Sequence, residues 1–192
     1  MLISDRLITA PTGEPVTLAE LKSHLRVTTD EEDGGLTLIL SAAREYVEGQ
    51  TGRALITQTR CATLNEFPPF GAAIVFGRVP LAGVVAVKYL DGDLEERTLS
   101  PSAYYVDTLG EPGSISLRPG QSWPAAGIAA NAVRIEYTCG QAVESVSATL
   151  KQAVLFLAAH FFENGVPVNI GNIVNDIPFT LNALIWSNRV IS

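Results

Sequence analysis

Between Leu36 and Arg53 apolar residues return at helical spacing. Leu36, Ile39, Leu40, Ala43 and then Tyr46 or Val47 fall on one face, which predicts an amphipathic helix. Gly49 and Gly52 are expected to stop it, because glycine ends a helix at little steric cost. Upstream, Thr17-Leu18-Ala19-Glu20 has the capping-box pattern, in which Thr17 accepts an amide and Glu20 reaches back. Leu18, Leu21 and Leu25 then predict a short helix ending near Val27. Between the two helices lies an acidic loop, Asp30 to Asp33, whose carboxylates suit the positive end of the second helix.

After Arg53 the pattern shortens to strand period. Residues 56–64, 73–76 and 84–90 are rich in branched and apolar residues, with turns at Phe67-Pro68-Pro69 and Val79-Pro80. Asp91-Gly92-Asp93 reads as a hairpin turn returning through 94–99. Short strands are predicted over 104–107, 114–117 and 133–137. A long helix follows, capped by Ser145 or Ser147 and apolar on nearly all sides, so it should be buried on more than one. Asn164-Gly165 ends it, and an uncharged loop runs from Val166 towards Asp176. A last helix is predicted over 180–190, with Leu181, Leu184 and Ile185 on one face. The expected fold is a single α+β domain, 1–192, with a mainly helical core and a β-region inserted between the second and third helices. Its parts are helices over 15–53, the β-region over 54–140, the long helix over 145–164 and a C-terminal segment over 177–192.

Composition alters this picture in one respect. Only 17% of the 192 residues are charged and 47% are hydrophobic, against about 25% charged in a typical soluble domain. A chain short of charge is expected to cover some apolar surface with other subunits. The net charge of −7 argues against a duplex-gripping protein, which needs cations to neutralise phosphates. Cys61 and Cys139 are too few for a disulfide framework and read as small buried residues. Met1 to Arg6 has no apolar run of signal-peptide length, and the run from Ala153 to Phe162 is about half of what a membrane span needs.

Candidate chemistry is sparse. His24, His160, Cys61 and Cys139 show no metal-ligand spacing. Neither the Asp30 to Asp33 cluster nor Asp91 with Asp93 forms a calcium loop, which needs a central glycine and a twelfth-position glutamate. There is no nucleophile elbow and no phosphate-cradling glycine loop. The expectation is no enzyme, no cofactor and no metal.

Four stretches, in order, resemble the head–tail connector, or adaptor, proteins of tailed phages, prophages and gene transfer agents. They are "PVTLAELKSHLRV" with "AAREYVEGQTGRAL"; "VPLAGVVAVKYLDGD" with "AYYVD" and "SWP"; "RIEYTCGQ" leading into "LKQAVLFLAAHFFEN"; and "IPFTLNALIWSNRVI". The chain departs from many members at Glu144 to Ser147, where they carry a proline. The resemblance implies a structural virion protein that forms a ring of about twelve subunits. That ring would sit in the particle neck between the portal and the next tail component, a stopper or tail terminator. DNA would pass through without specific binding, no membrane would be involved, and assembly would occur in the host cytoplasm.

The apolar, aromatic C-terminal segment is the expected portal contact, through Ile177, Phe179, Leu184, Trp186, Arg189 and Ile191. The competing expectation is that this segment folds back on its own domain. A channel lining is expected to be neutral or acidic, and Arg44, Arg53, Arg60 and Arg78 are the cations most able to break that rule if they cluster. The rival reading is a small hydrolase or ligand-binding domain with a pocket around Tyr104, Tyr105 and Trp123.

Overall fold

The computed structural model describes residues 4–164 and 179–190. These divide into two compact units, one running through Thr12 and over Thr57–Gln141, the other combining Gly13–Ile56 with the chain from Ala142. Helices and antiparallel sheets are both present, so the class is α+β.

The second unit is helical. Helix α1 spans Leu18–Leu25 and opens on the expected capping box: the Glu20 amide donates to Thr17 Oγ1 at 3.2 Å, and the Thr17 amide donates to Glu20 Oε2 at 2.7 Å. Helix α2 spans Asp33–Thr51. It starts at Asp33 rather than Leu36, where Asp33 complements the helix dipole. It also runs through Gly49, because the neighbouring Val47, Glu48 and Thr51 are buried and packing outweighs the glycine's propensity cost. Gly52, at φ +74°, ends it and returns its N–H to the Glu48 carbonyl at 3.0 Å. Helix α3 spans Ala148–Glu163, capped by Ser147, whose Oγ accepts the Leu150 amide. Helix α4 spans Phe179–Ser187, ending short of the expected Val190.

One apolar core joins them. Leu36, Leu40, Ala43 and Val47 of α2 meet Leu150, Val154 and Leu157 of α3, with Leu21 of α1 and Leu181 and Ile185 of α4. Truncating any one such leucine to alanine would remove about 2–5 kcal/mol.

The first unit is built from β1 (Ser4–Thr9), β2 (Gln58–Leu64), β3 (Ile74–Val75), β4 (Leu81–Leu90), β5 (Glu96–Thr98), β6 (Tyr104–Asp107), β7 (Ser114–Leu117) and β8 (Val133–Cys139). A five-stranded sheet has the order β1-β2-β8-β4-β5, and a three-stranded sheet the order β3-β7-β6. Every pairing is antiparallel. Central strand β8 alternates cleanly, burying Val133, Ile135, Tyr137 and Cys139. One strand also precedes α1: β1 forms one edge of the larger sheet, an element the sequence pattern did not predict. Its side chains are mostly exposed. Asp5 anchors it, accepting from Arg60 Nε at 3.1 Å and from the Tyr137 hydroxyl at 2.9 Å.

Candidate docking surface

The one-sided burial of α4 decides which of its residues are available. Leu181 and Ile185 are buried in the core of the helical unit, and Leu184 packs partly buried against it. Trp186 faces the other way and is 67% exposed. The guanidinium of Arg189 lies 5.1 Å from the Trp186 ring centroid, a cation–π contact worth about 0.5–1 kcal/mol at an exposed site. Ile177 and Ile191 lie outside the described residues, as does the side chain of Phe179. Of the six expected docking residues, the structure thus places Trp186 and Arg189 together on the outside, with Leu184 turned towards the core.

The chain beyond α4 is stitched to the end of α2. Arg53 Nε donates to the Asn188 carbonyl at 2.9 Å, and the Val190 amide donates to the Thr51 carbonyl at 2.9 Å. Asn188 Nδ2 donates to the Leu184 carbonyl at 2.8 Å. The outer face of α4 is accordingly held in one orientation rather than hung on a tether.

Three of the arginines considered as channel cations are engaged internally. Arg44 is buried on α2, donating from Nε to Glu14 Oε2 at 2.8 Å and from Nη1 to Glu48 Oε2 at 3.0 Å. Burial raises the Glu14 carboxyl above the usual range, more than the attraction of Arg44 lowers it. Arg53 and Arg60 hold Asn188 and Asp5, as above. This buried ionic hub was not read from the sequence. Its one local signal is the i,i+4 spacing of Arg44 and Glu48, since Glu14 stands 30 positions from Arg44.

The rival pocket does not assemble. An open cleft of about 660 Å³ is lined by residues 66–71, Leu117 and residues 121–126, so it includes Trp123 but neither Tyr104 nor Tyr105. Tyr104 is buried in the β unit, and Arg118 lies 4.1 Å over the exposed Tyr105 ring. Trp123 stacks on Phe67 at 5.1 Å and donates its indole N–H to the Ala72 carbonyl. Glu66 is the one acidic or basic side chain lining the cleft among the described residues. A lone carboxylate there has no partner for acid–base or nucleophilic work. Among the described residues no group of three or more His, Cys, Asp or Glu could hold a metal ion, and no helix is long and apolar enough to cross a membrane.

Comparison with known proteins bears on the same surfaces. The phage gp6-like head–tail connector protein family matches residues 15–75. Nearly the whole chain, 99% of it, superposes on 97% of a chain in the neck of an empty GTA particle computed with C6 symmetry, at TM-score 0.80 and 25% identity. Over residues 15–75 the chain is similar to the head–tail connector family. A chain in the virion of a native gene transfer agent (GTA) particle gives TM-score 0.78 at 25% identity, over 99% of this chain and 97% of that one. A chain in the neck of a native GTA particle computed with C12 symmetry gives TM-score 0.78 at 24% identity over the same shares. No curated protein is significantly similar in sequence. The family match takes in α1 and α2 with their buried Arg44, while the likeness in fold extends through β8, α3 and α4.

Proposed function

We propose that this protein is a structural, non-enzymatic component of the neck of a phage-like particle. Twelve or so copies form a ring between the portal and the next tail component, a stopper or tail terminator, and the ring extends the DNA channel. The observation that carries this reading is the likeness in fold, end to end, to chains in gene transfer agent necks computed with C6 and C12 symmetry. Both units serve as one connector domain, with the β-region inserted between the second and third helices.

The C-terminal segment supplies the portal contact, through Ile177, Phe179, Leu184, Trp186, Arg189 and Ile191. An exposed tryptophan braced by an arginine is the kind of anchor that dominates protein interfaces. DNA passes without being gripped, since the subunit is acidic and Arg44, Arg53 and Arg60 are spent on internal partners.

The test is to image purified particles with the chain labelled at a cysteine introduced on its surface, since Cys61 and Cys139 are buried. Label in a ring below the portal is expected, and a chain absent from tailed particles would overturn the reading.

A further inference from the structure

The helical unit carries a ridge and a groove on opposite sides. The groove lies along the outer side of α1 and α3 and encloses about 640 Å³, with Val16, Ala19, Ala148 and Leu155 contributing its apolar floor. Helical phase explains why this side faces away from the core. Leu21 of α1 is fully buried, so at about 100° per residue Ala19 and Ser23 point the opposite way. Likewise α3 sends Leu150, Val154 and Leu157 inward and turns Ala148, Lys151 and Gln152 to the groove.

The ridge is the outer face of α2. Leu36 and Leu40 point into the core shared with α1 and α3, and Leu38 between them is 72% exposed. A side chain built at Gly34 or Gly35 would meet nothing within 4 Å, so the ridge is open on its flank. Ala42 and Glu45 continue the same face, two turns carrying the row from Leu38 to an exposed carboxylate.

Each surface carries one charge that the other can pair, Lys151 on the groove and Glu45 on the ridge. Lys151 rims the groove and makes no ion pair among the described residues. Glu20 also lines the groove, held by Thr17 in the capping box and within reach of the Lys151 charge. The ridge ends in Glu45, whose contact with Arg44 is long at 3.5 Å.

We propose that the Leu38 ridge of one copy seats in the α1–α3 groove of the next, with Glu45 beside Lys151. This rests on the ring reading above. A second copy fits better than an unrelated partner because both halves of the contact are present on this chain, on opposite sides. A head-to-tail contact of that kind propagates and closes into a ring when its rotation allows.

The experiment uses the double variant Leu38→Cys with Gln152→Cys, assembled into particles and oxidised. Cys61 and Cys139 are buried and stay out of the reaction. A ladder of disulfide-linked multimers rising to the ring number is expected, absent from either single variant. Necks that contain the double variant yet release only monomers would overturn the proposal. If the double variant does not enter necks, wild-type particles treated with a zero-length carbodiimide give the answer. A peptide joining Glu45 of one copy to Lys151 of another supports the contact, and its absence when both peptides are recovered from intact rings overturns it. Wild-type chain missing from necks altogether would instead overturn the connector reading on which this one rests.

Discussion

Glu48 accepts the backbone N–H of Leu55 through Oε1 at 2.7 Å. Its other oxygen takes Arg44 at 3.0 Å. One buried carboxylate therefore fixes the path of the chain after α2 ends. Glu48→Ala leaves a buried amide without this acceptor and Arg44 short of a counter-charge, and about 3–5 kcal/mol of stability is expected to go. Glu48→Gln keeps an acceptor for Leu55 and should lose less. Urea unfolding midpoints compare the two, and equal losses would mean that the Leu55 bond contributes little.

The two faces of α4 should separate folding from docking. Ile185→Ala is expected to cost about 2–4 kcal/mol, because it opens a cavity in the core. Trp186→Ala should stay within about 0.5 kcal/mol of wild type while weakening co-sedimentation with portal rings. Undiminished co-sedimentation of the Trp186 variant would move the portal contact elsewhere.

Two glutamates should shape the pH profile in opposite senses. Hydrogen bonds from Thr17 hold the Glu20 carboxyl below its usual range, so its contribution is present above the ordinary carboxylate pKa and lost as pH falls through the lowered one. Burial holds Glu14 above its usual range, so its contribution is present in acid and lost as pH rises through the raised value. Glu20→Gln should flatten the acid limb of thermal stability, and Glu14→Gln the fall just above it. Thr17→Ala should itself cost about 1 kcal/mol. A melting series across acidic pH would reveal any reversal of these signs.

Tyr137→Phe removes the hydroxyl that Asp5 accepts. A loss of about 1 kcal/mol is expected, with faster hydrogen exchange along β1, which Asp5 anchors. Exchange unchanged in β1 would show that its ladder with β2 suffices.

Chelation is expected to leave the melting temperature unchanged. Stoichiometric zinc or calcium in the purified protein would contradict this.

Local chemistry was the legible part of the fold. The capping box at Thr17 and Glu20, the Ser147 cap and the strict alternation of Val133, Ile135 and Tyr137 are each written within a few neighbouring residues. Strand β1 was not, because a strand exposed on both faces has no apolar period to detect. It is held instead through Asp5 by groups 55 and 132 positions away. The commitment of Arg44 was hidden for a similar reason: a single sequence gives its charge but not the distant Glu14 that pairs with it. At the docking surface, the aromatic content of the C-terminal segment was visible. Which residues turn inward was set by α2 and α3 packing against Leu181 and Ile185.

The helical unit is made of two stretches of chain separated by Thr57–Gln141, and this orders events on the ribosome. Helices α1 and α2 emerge early but cannot bury Leu36, Leu40 or Val47 until α3 is synthesised. The sheet, by contrast, has all its strands once Cys139 has emerged. When it closes, the Thr57 amide meets the Gln141 carbonyl at 3.1 Å, and the ends of the long intervening loop are already together. The closure entropy that α2 and α3 would otherwise bear on meeting is thereby met in advance by strand pairing. A nascent chain arrested just past Gln141 should hold a protease-resistant sheet beside two helices still seeking their partner.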